Sequence, residues 1–433
     1  MRISAVMTAG ALALAACGGG AGATGATARP SLPAQPTAAA TTDAAKCSGA
    51  TSTQASPGMA PSTPSGLSVP SGFTLQTIAG VGGAREIAPL PNGDLIVGTS
   101  GSAVYIVPNA EAAAGAGAAR VFATVHDAPD AGVAFSQPTC TVYIATQYGI
   151  YATPYRDGDL TAERLTKIGR IRTGSISPKT DGDVHRTTSV AAGADALYAG
   201  VGSSCNACVE TDPTRASVQR LHLDGSAMRT LAIRIRNPIA LAIDPVSGHL
   251  WVGDAGQDDL PTLHPYEFLD DVTSHDGVAD YGWPDCEEHH VAYVSGSNCS
   301  RTVAPLVELP AYSTIIGATF YPAQASGSYA FGSSYAGALF VARHGSWHTP
   351  AGCNVAPEVD VVPMHRDLPV TPVNWRDPHT QWKPFVTGFQ PGCTASTRIG
   401  RPTGIAVGPA GSLFIADDQA GLIYRVRPVR RAI

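Results

Sequence analysis

The sequence predicts an all-β chain folded as a six-bladed β-propeller, and three observations predict it. A short apolar strand recurs six times: Asp94-Leu-Ile-Val-Gly98, Thr141-Val-Tyr-Ile-Ala145, Ala196-Leu-Tyr-Ala-Gly200, His249-Leu-Trp-Val-Gly253, Ala338-Leu-Phe-Val-Ala342 and Ser412-Leu-Phe-Ile-Ala416. Four copies follow an apolar run that closes in a turn rich in Pro, Asp or Gly: Ile87 to Gly93, Val190 to Asp195, Leu241 to Gly248 and Ile405 to Gly411. One hairpin is therefore being repeated. The anchors Leu95, Val142, Leu197, Leu250, Leu339 and Leu413 lie roughly 50 residues apart, with insertions before the fifth and sixth, which is the period of a propeller unit. A single hairpin cannot bury both faces, whereas a closed ring of six can. A β-sandwich with coincidental spacing is the alternative.

Composition agrees with this reading. Only 14% of the 433 residues are charged, and 47 glycines and 34 prolines leave no long helical pattern. The formal charge of −6 comes without a basic stripe or an aromatic-basic platform, which argues against nucleic acid as a partner.

From the N-terminus, Arg2 supplies a positive charge and Ala5 to Ala16 a short apolar stretch, too short to span a bilayer. The stretch ends Leu14-Ala-Ala-Cys17 and resembles the lipobox of bacterial lipoproteins. That resemblance implies cleavage before Cys17, lipidation of its thiol and a lipid anchor in the cell envelope, on the periplasmic side. An ordinary signal peptide cut near Ala16 is the alternative. Residues 18–66 are mostly Ala, Thr, Ser, Pro and Gly, cannot bury a core, and read as a flexible tether. Residues 67–433 form the propeller domain. Order is expected from Phe73-Thr-Leu-Gln-Thr-Ile78, which alternates at period two and would close the ring against the last blade, Leu413 to Val426.

The chain has nine cysteines, so lipidation of Cys17 leaves an even number in an exported protein. Local spacing favours Cys205 with Cys208 and Cys286 with Cys299. Cys353 with Cys393 would pin an insertion in the fifth blade, and Cys47 with Cys140 remains. A zinc site would need a second Cys-x-x-Cys and a thioredoxin-like motif a βαβ context; neither is present.

Propellers carry their working residues on the loops at one mouth. Around the six strands stand His185, Arg236-Asn237-Pro238, Gly253-Asp-Ala-Gly-Gln257, Tyr281-Gly-Trp-Pro284, Arg343-His-Gly-Ser-Trp347, Arg398, Arg401 and Asp417-Asp418. Singly, each has a structural explanation, such as a solvated arginine or a packed tryptophan. Together, a histidine, several arginines and Gly-rich turns suit a polyanionic ligand beside a proton acceptor.

These residues resemble the PQQ-dependent glucose/sorbosone dehydrogenases, more closely the sorbosone-type branch. The matching motifs are Gly202-Ser-Ser-Cys-Asn-Ala-Cys208 with Asp212-Pro213 and Arg215-Ala216, Arg236-Asn-Pro238, Asp254-Ala-Gly256, Tyr281-Gly-Trp-Pro284, His344-Gly-Ser-Trp347, Gly400-Arg-Pro402, and Asp417-Asp418 with Ile423-Tyr-Arg425. The similarity runs in order from Phe73 to Val426. It implies a pyrroloquinoline quinone (PQQ) lying over the central channel, contacted by Arg236 and Asn237, with its acids neutralised by Arg343, Arg398 and Arg401. It implies a calcium ion held by the carbonyls of Gly256 and Gln257, His185 as general base, and hydride transfer to the quinone. The substrate would be a sugar or a sugar-derived aldehyde. With no haem-attachment Cys-x-x-Cys-His, electrons would leave to a separate acceptor. The chain departs from the glucose-type pattern at Val184, where those enzymes place an aspartate that orients the base, with Asp183 one place off. Thr188 stands where the sorbosone branch often has arginine. A catalytically inactive propeller that binds a ligand or a protein is the alternative function. A calcium-dependent lactonase would need a central Asp, Asn and Glu cluster that does not recur across the blades.

Overall fold

A computed structural model describes Cys47 and residues 55–171, 184–260, 263–349 and 352–429. Cys17, Asp183, the leader and most of the tether lie outside the described residues.

Six sheets form the blades, each with four antiparallel strands, and the third carries a short fifth strand paired parallel to its outer edge. Blade one is Ala84–Pro89, Leu95–Thr99, Ala103–Val107 and Arg120–Thr124; blade two is Gly132–Ser136, Thr141–Ala145, Gly149–Pro154 and Thr166–Arg170. Blade three is Thr188–Ala192, Ala196–Val201, Ser217–His222 and Arg229–Ile233; blade four is Pro238–Ile243, Leu250–Asp254, Glu267–Asp271 and Val307–Leu309. Blade five is Ile315–Phe320, Leu339–Arg343, Glu358–Val362 and Lys383–Val386. Blade six is Pro402–Val407, Leu413–Asp417, Leu422–Pro428 and the N-terminal Phe73–Gly80. Each of the six recurring apolar segments is thus the second strand of a blade. Phe73 pairs with Pro428 and Gly80 with Leu422, so the two ends of the chain close the ring as expected. Among the described residues, helix is limited to two three-residue 3-10 turns.

Period two explains why these strands are apolar throughout. Leu250 and Val252 pack against blade three, while Trp251 between them packs against blade five. The core is accordingly a set of six clusters, one between each pair of neighbouring blades. The small residue ending each recurring segment is a requirement of this packing. A Cβ on Gly200 would lie 1.8 Å from the Pro238 carbonyl oxygen of the next blade. At the axis, the first strands of all six blades line a narrow channel, with Glu86, Val133, Val190, Ile239, Ile316 and Gly404 among its walls.

The eight cysteines outside Cys17 pair as expected, Cys47–Cys140, Cys205–Cys208, Cys286–Cys299 and Cys353–Cys393, with Cα separations of 5.3, 6.1, 5.6 and 4.6 Å. Contacts begin upstream of Phe73. Cys47 is buried, Gly58 N donates to Ala116 O, and Ser62 and Thr77 exchange backbone hydrogen bonds. Backbone bridging needs no large side chain, so a search for apolar residues does not register it. The Tyr281-Gly-Trp-Pro284 turn lies inside blade four, in an insertion between its third and fourth strands, where Ala279–Asp280 pairs with the outer strand of blade three.

Candidate active site

In an antiparallel blade the start of the first strand and the end of the second share one mouth. Residues from these positions converge on a cavity of about 690 Å³ lined by His185, Arg236, Asn237, Gly256, Arg85, Asn206, Glu267, His344 and Trp347, among others. Of the residues singled out in the sequence, His185, Arg236, Asn237, Ala255, Gly256, His344 and Trp347 meet there.

His185 sits on the approach to blade three, half-buried. Its Nδ1 lies 3.1 Å from the Ser203 carbonyl oxygen and 3.0 Å from Ser203 Oγ. A carbonyl only accepts, so Nδ1 carries the hydrogen and Nε2 keeps its lone pair. Burial, reinforced by the nearby Arg236 and Arg215 cations, holds the imidazole well below its ordinary pKa. His185 is therefore a neutral acceptor at neutral pH, oriented by Ser203 where the sequence comparison sought an aspartate. The fit is close: a Cβ on Gly202 would lie 2.5 Å from His185 Cβ and 2.6 Å from Asn237 Oδ1.

Arg236 is buried and its guanidinium is held on every side. Nε donates to Asn206 O (3.0 Å), Nη1 to Ala255 O (2.9 Å), and Nη2 to Asn206 Oδ1 (2.9 Å) and Asp258 Oδ2 (3.1 Å). The motif aspartate Asp254 explains why Arg236-Asn237 stays at the mouth. Its carboxylate accepts from Asn237 N (2.6 Å) and Arg236 N (3.3 Å), while burial pushes its pKa up to about 7. Glu267 does the same for blade five, accepting from Thr314 N (2.8 Å) and Ile315 N (2.9 Å), with burial raising it to about 8.

Of the residues that the resemblance assigned to the cofactor or the calcium, Arg343, Arg398, Arg401 and Gln257 do not line the cavity. Arg343 points into the interface between blades four and five, pairing with Asp360 (2.5 Å) and Glu358 and lying 4.5 Å over the Trp382 ring. Strand parity is the reason, since Arg343 shares a face with Leu339 and Val341, which pack against blade four. Arg398 donates to Gln390 Oε1 (2.6 Å) and to the Ser346 carbonyl, and Arg401 to His344 O (2.8 Å) and Gly345 O (2.6 Å). These two arginines hold the His344–Ser346 loop, and burial lowers Arg401 to about 10. Gln257 turns inward, its Nε2 donating to Glu287 Oε1 (2.6 Å).

Arg85 completes the wall, braced by Asp418. Asp418 pairs with Arg85 (2.8 Å) and His344 Nε2 (2.9 Å). Burial alone would raise Asp418, but His344 and Arg85 outweigh it and hold the carboxylate far below its usual range. Burial pushes His344 down to about 4. Arg85, Glu267 and Thr314 were not singled out in the sequence, and Ser203 and Asn206 entered only as letters of the Gly202–Cys208 motif, with no role attached. Arg85 is the second residue of the first strand of blade one, and its place at a strand start is the one signal that could have found it.

Residues 286–429 match the family model described as TrAA12-like. The holo pyranose dehydrogenase PQQ domain from Coprinopsis cinerea superposes with a TM-score of 0.68 at 17% identity, covering 84% of this chain and 98% of that one. A calcium structure of the carbohydrate-active enzyme family AA12 protein from Trichoderma reesei gives 0.67 at 17% identity, over 88% and 100% of the two chains. The PQQ-bound aldose sugar dehydrogenase from Streptomyces coelicolor gives 0.54 at 18% identity, over 83% and 100%. An uncharacterized protein of Borreliella burgdorferi is 24% identical over 261 residues, 58% of this chain and 63% of that protein, so the match spans less than two thirds of the relative's length. By fold, the chain is a six-bladed propeller like those of the PQQ-bound aldose and pyranose dehydrogenases, and its residues 286–429 carry the TrAA12-like family pattern.

Proposed function

We propose that this chain is a PQQ- and calcium-dependent dehydrogenase that oxidises a sugar or a sugar-derived aldehyde. One observation carries the reading: a neutral His185 with Nε2 free stands in the same cavity as Arg236, Arg85 and Asn237. The residues suit the cofactor's chemistry. A planar tricarboxylate needs guanidinium and amide donors on the walls, and Arg85, Arg186, Arg236 and Asn237 supply them. A hard cation needs oxygen, and Gly256, Asp258 and Asp259 line the same wall, with the Gln257 carbonyl between them in sequence. Bound there, the quinone would supply the hydride acceptor and calcium its polarisation.

The chain's own residues do the rest. His185 Nε2 takes the substrate hydroxyl proton, and the Ser203 carbonyl steadies the ring as charge develops on it. Burial, with the two cations, makes His185 a weak base, and carboxylates brought into the cavity would offset the cations' share of that depression. Trp347, 65% exposed at the rim, offers a sugar ring an apolar face. The Leu14–Cys17 lipobox supports a lipid anchor on the periplasmic side of the envelope, with electrons leaving to a separate acceptor.

Reconstitution of the apoprotein with PQQ and calcium tests the proposal, with a panel of aldoses and aldehydes added while the quinone spectrum is followed. The expected result is quinone reduction by at least one of them. Binding without reduction by any would leave a ligand-binding propeller in place of an enzyme.

A further inference from the structure

We propose that Asn206, held between the bridged Cys205 and Cys208, is the positioning residue that aims the Arg236 guanidinium at the cavity without neutralising it. Its consequence for the cofactor rests on the function proposed above; the placement of Arg236 does not.

The Cys205–Cys208 bridge closes a four-residue loop, and Asn206 lines the cavity from within it. Asn206 O accepts from Arg236 Nε (3.0 Å) and from Trp283 Nε1 (3.1 Å). Asn206 Oδ1 accepts from Arg236 Nη2 (2.9 Å) and from Asp258 N (2.8 Å), and Nδ2 donates to Asp258 O (2.9 Å). The partners fix the amide's orientation, because two donors meet Oδ1 and a carbonyl meets Nδ2.

Nε and Nη2 lie along one edge of the guanidinium. One residue therefore offers that edge two acceptors, in the way a carboxylate would, but with no charge. Among the described residues, Asp258 is the one carboxylate in an ion pair with Arg236, at 3.1 Å, and it is partly exposed. Asn206 thus fixes the plane of Arg236 while leaving positive charge for an anion in the cavity. The disulfide gives the loop the shape in which the backbone oxygen and the side-chain oxygen of one residue reach the same edge. On this account Cys-Asn-Ala-Cys is part of the binding wall as well as a staple.

The test reads Arg236 directly. Phenylglyoxal modifies accessible arginines, and peptide mapping of the intact, unreduced protein gives the rate at Arg236. In the wild type that rate is expected to be slow. Asn206→Ala removes the side-chain acceptor and is expected to raise it about tenfold, the equivalent of one hydrogen bond to a charged group. Asn206→Asp keeps both acceptors and is expected to restore protection. It should nevertheless weaken PQQ binding, because the added carboxylate neutralises the arginine. Equal Arg236 rates in wild type and Asn206→Ala would overturn the assignment, as would failure of Asn206→Asp to protect. If Asn206→Ala folds poorly, Asn206→Ser, with its shorter side chain, provides the same comparison. No quinone enters the modification assay. A wild type that never binds PQQ would therefore overturn the proposed function and leave the positioning role standing.

Discussion

The two sides of the cavity use arginine in opposite ways. On the side of blades three and four, Arg236 is fixed mainly by neutral acceptors and faces the cavity. On the side of blades five and six, Arg343, Arg398 and Arg401 are spent on the protein itself, on the buried Asp360 and half-buried Glu358 and on the carbonyls of the His344–Ser346 loop. A motif arginine marks a mouth but not a direction. Direction is set by strand parity for Arg343 and by the loop it braces for Arg398 and Arg401.

The largest expected effect falls on the base. His185→Asn should leave quinone affinity nearly intact and lower turnover by roughly 10²–10⁴-fold, the usual worth of general base catalysis, measured as steady-state rate on the reconstituted enzyme. An unchanged rate would remove His185 from the mechanism. Next is Arg343→Ala, which strands Glu358 and Asp360 in the interface between blades four and five. About 3–5 kcal/mol of stability should be lost in denaturant unfolding, the usual cost of breaking a buried pair. A variant of parental stability would show that the pair is not the arginine's role.

Gly202→Ala should cost about 1–3 kcal/mol, because its Cβ overlaps both His185 and Asn237 and the neighbours must give way. Turnover should fall with it, since the base is one of the two groups displaced. The smallest effect concerns pH. His185 and His344 stay neutral in the folded chain below the pH at which an unfolded histidine takes a proton. The unfolded state then binds more protons, so their contribution lowers stability as pH falls from about 7 toward 4. His185→Asn should flatten the decline in melting temperature between those values. An identical slope would mean that His185 is already protonated in the fold.

Much of the fold was legible because its cause is local and repeated. Leu250-Trp-Val reads as a strand buried on both faces, and its five counterparts read the same way. The ring closure by Phe73–Gly80 followed from period-two alternation. The attachment of residues 55–66 did not, because Ser56, Gly58 and Ser62 bind through their backbones. At the site, His185, Arg236 and Asn237 were legible as motif residues next to strand ends. Ser203 was not, because it orients His185 through its backbone carbonyl as well as its hydroxyl, and a carbonyl belongs to any residue. Asp254 and Asp417 read as site residues, but their carboxylates hold the backbone N–H groups of Asn237 and Arg401. Sequence identifies a carboxylate, and only the fold shows which donors surround it.

The most direct measurement is a titration of the calcium-loaded apoprotein with PQQ, followed by the spectrum of the bound quinone, in wild type, Arg236→Ala and Arg343→Ala. The account predicts that the wild type binds one quinone. Arg236→Ala should lose about tenfold to a hundredfold in affinity, as for a charged hydrogen bond, and folded Arg343→Ala should bind like the parent. A wild type that binds no quinone, or an Arg343→Ala loss equal to that of Arg236→Ala, would contradict it.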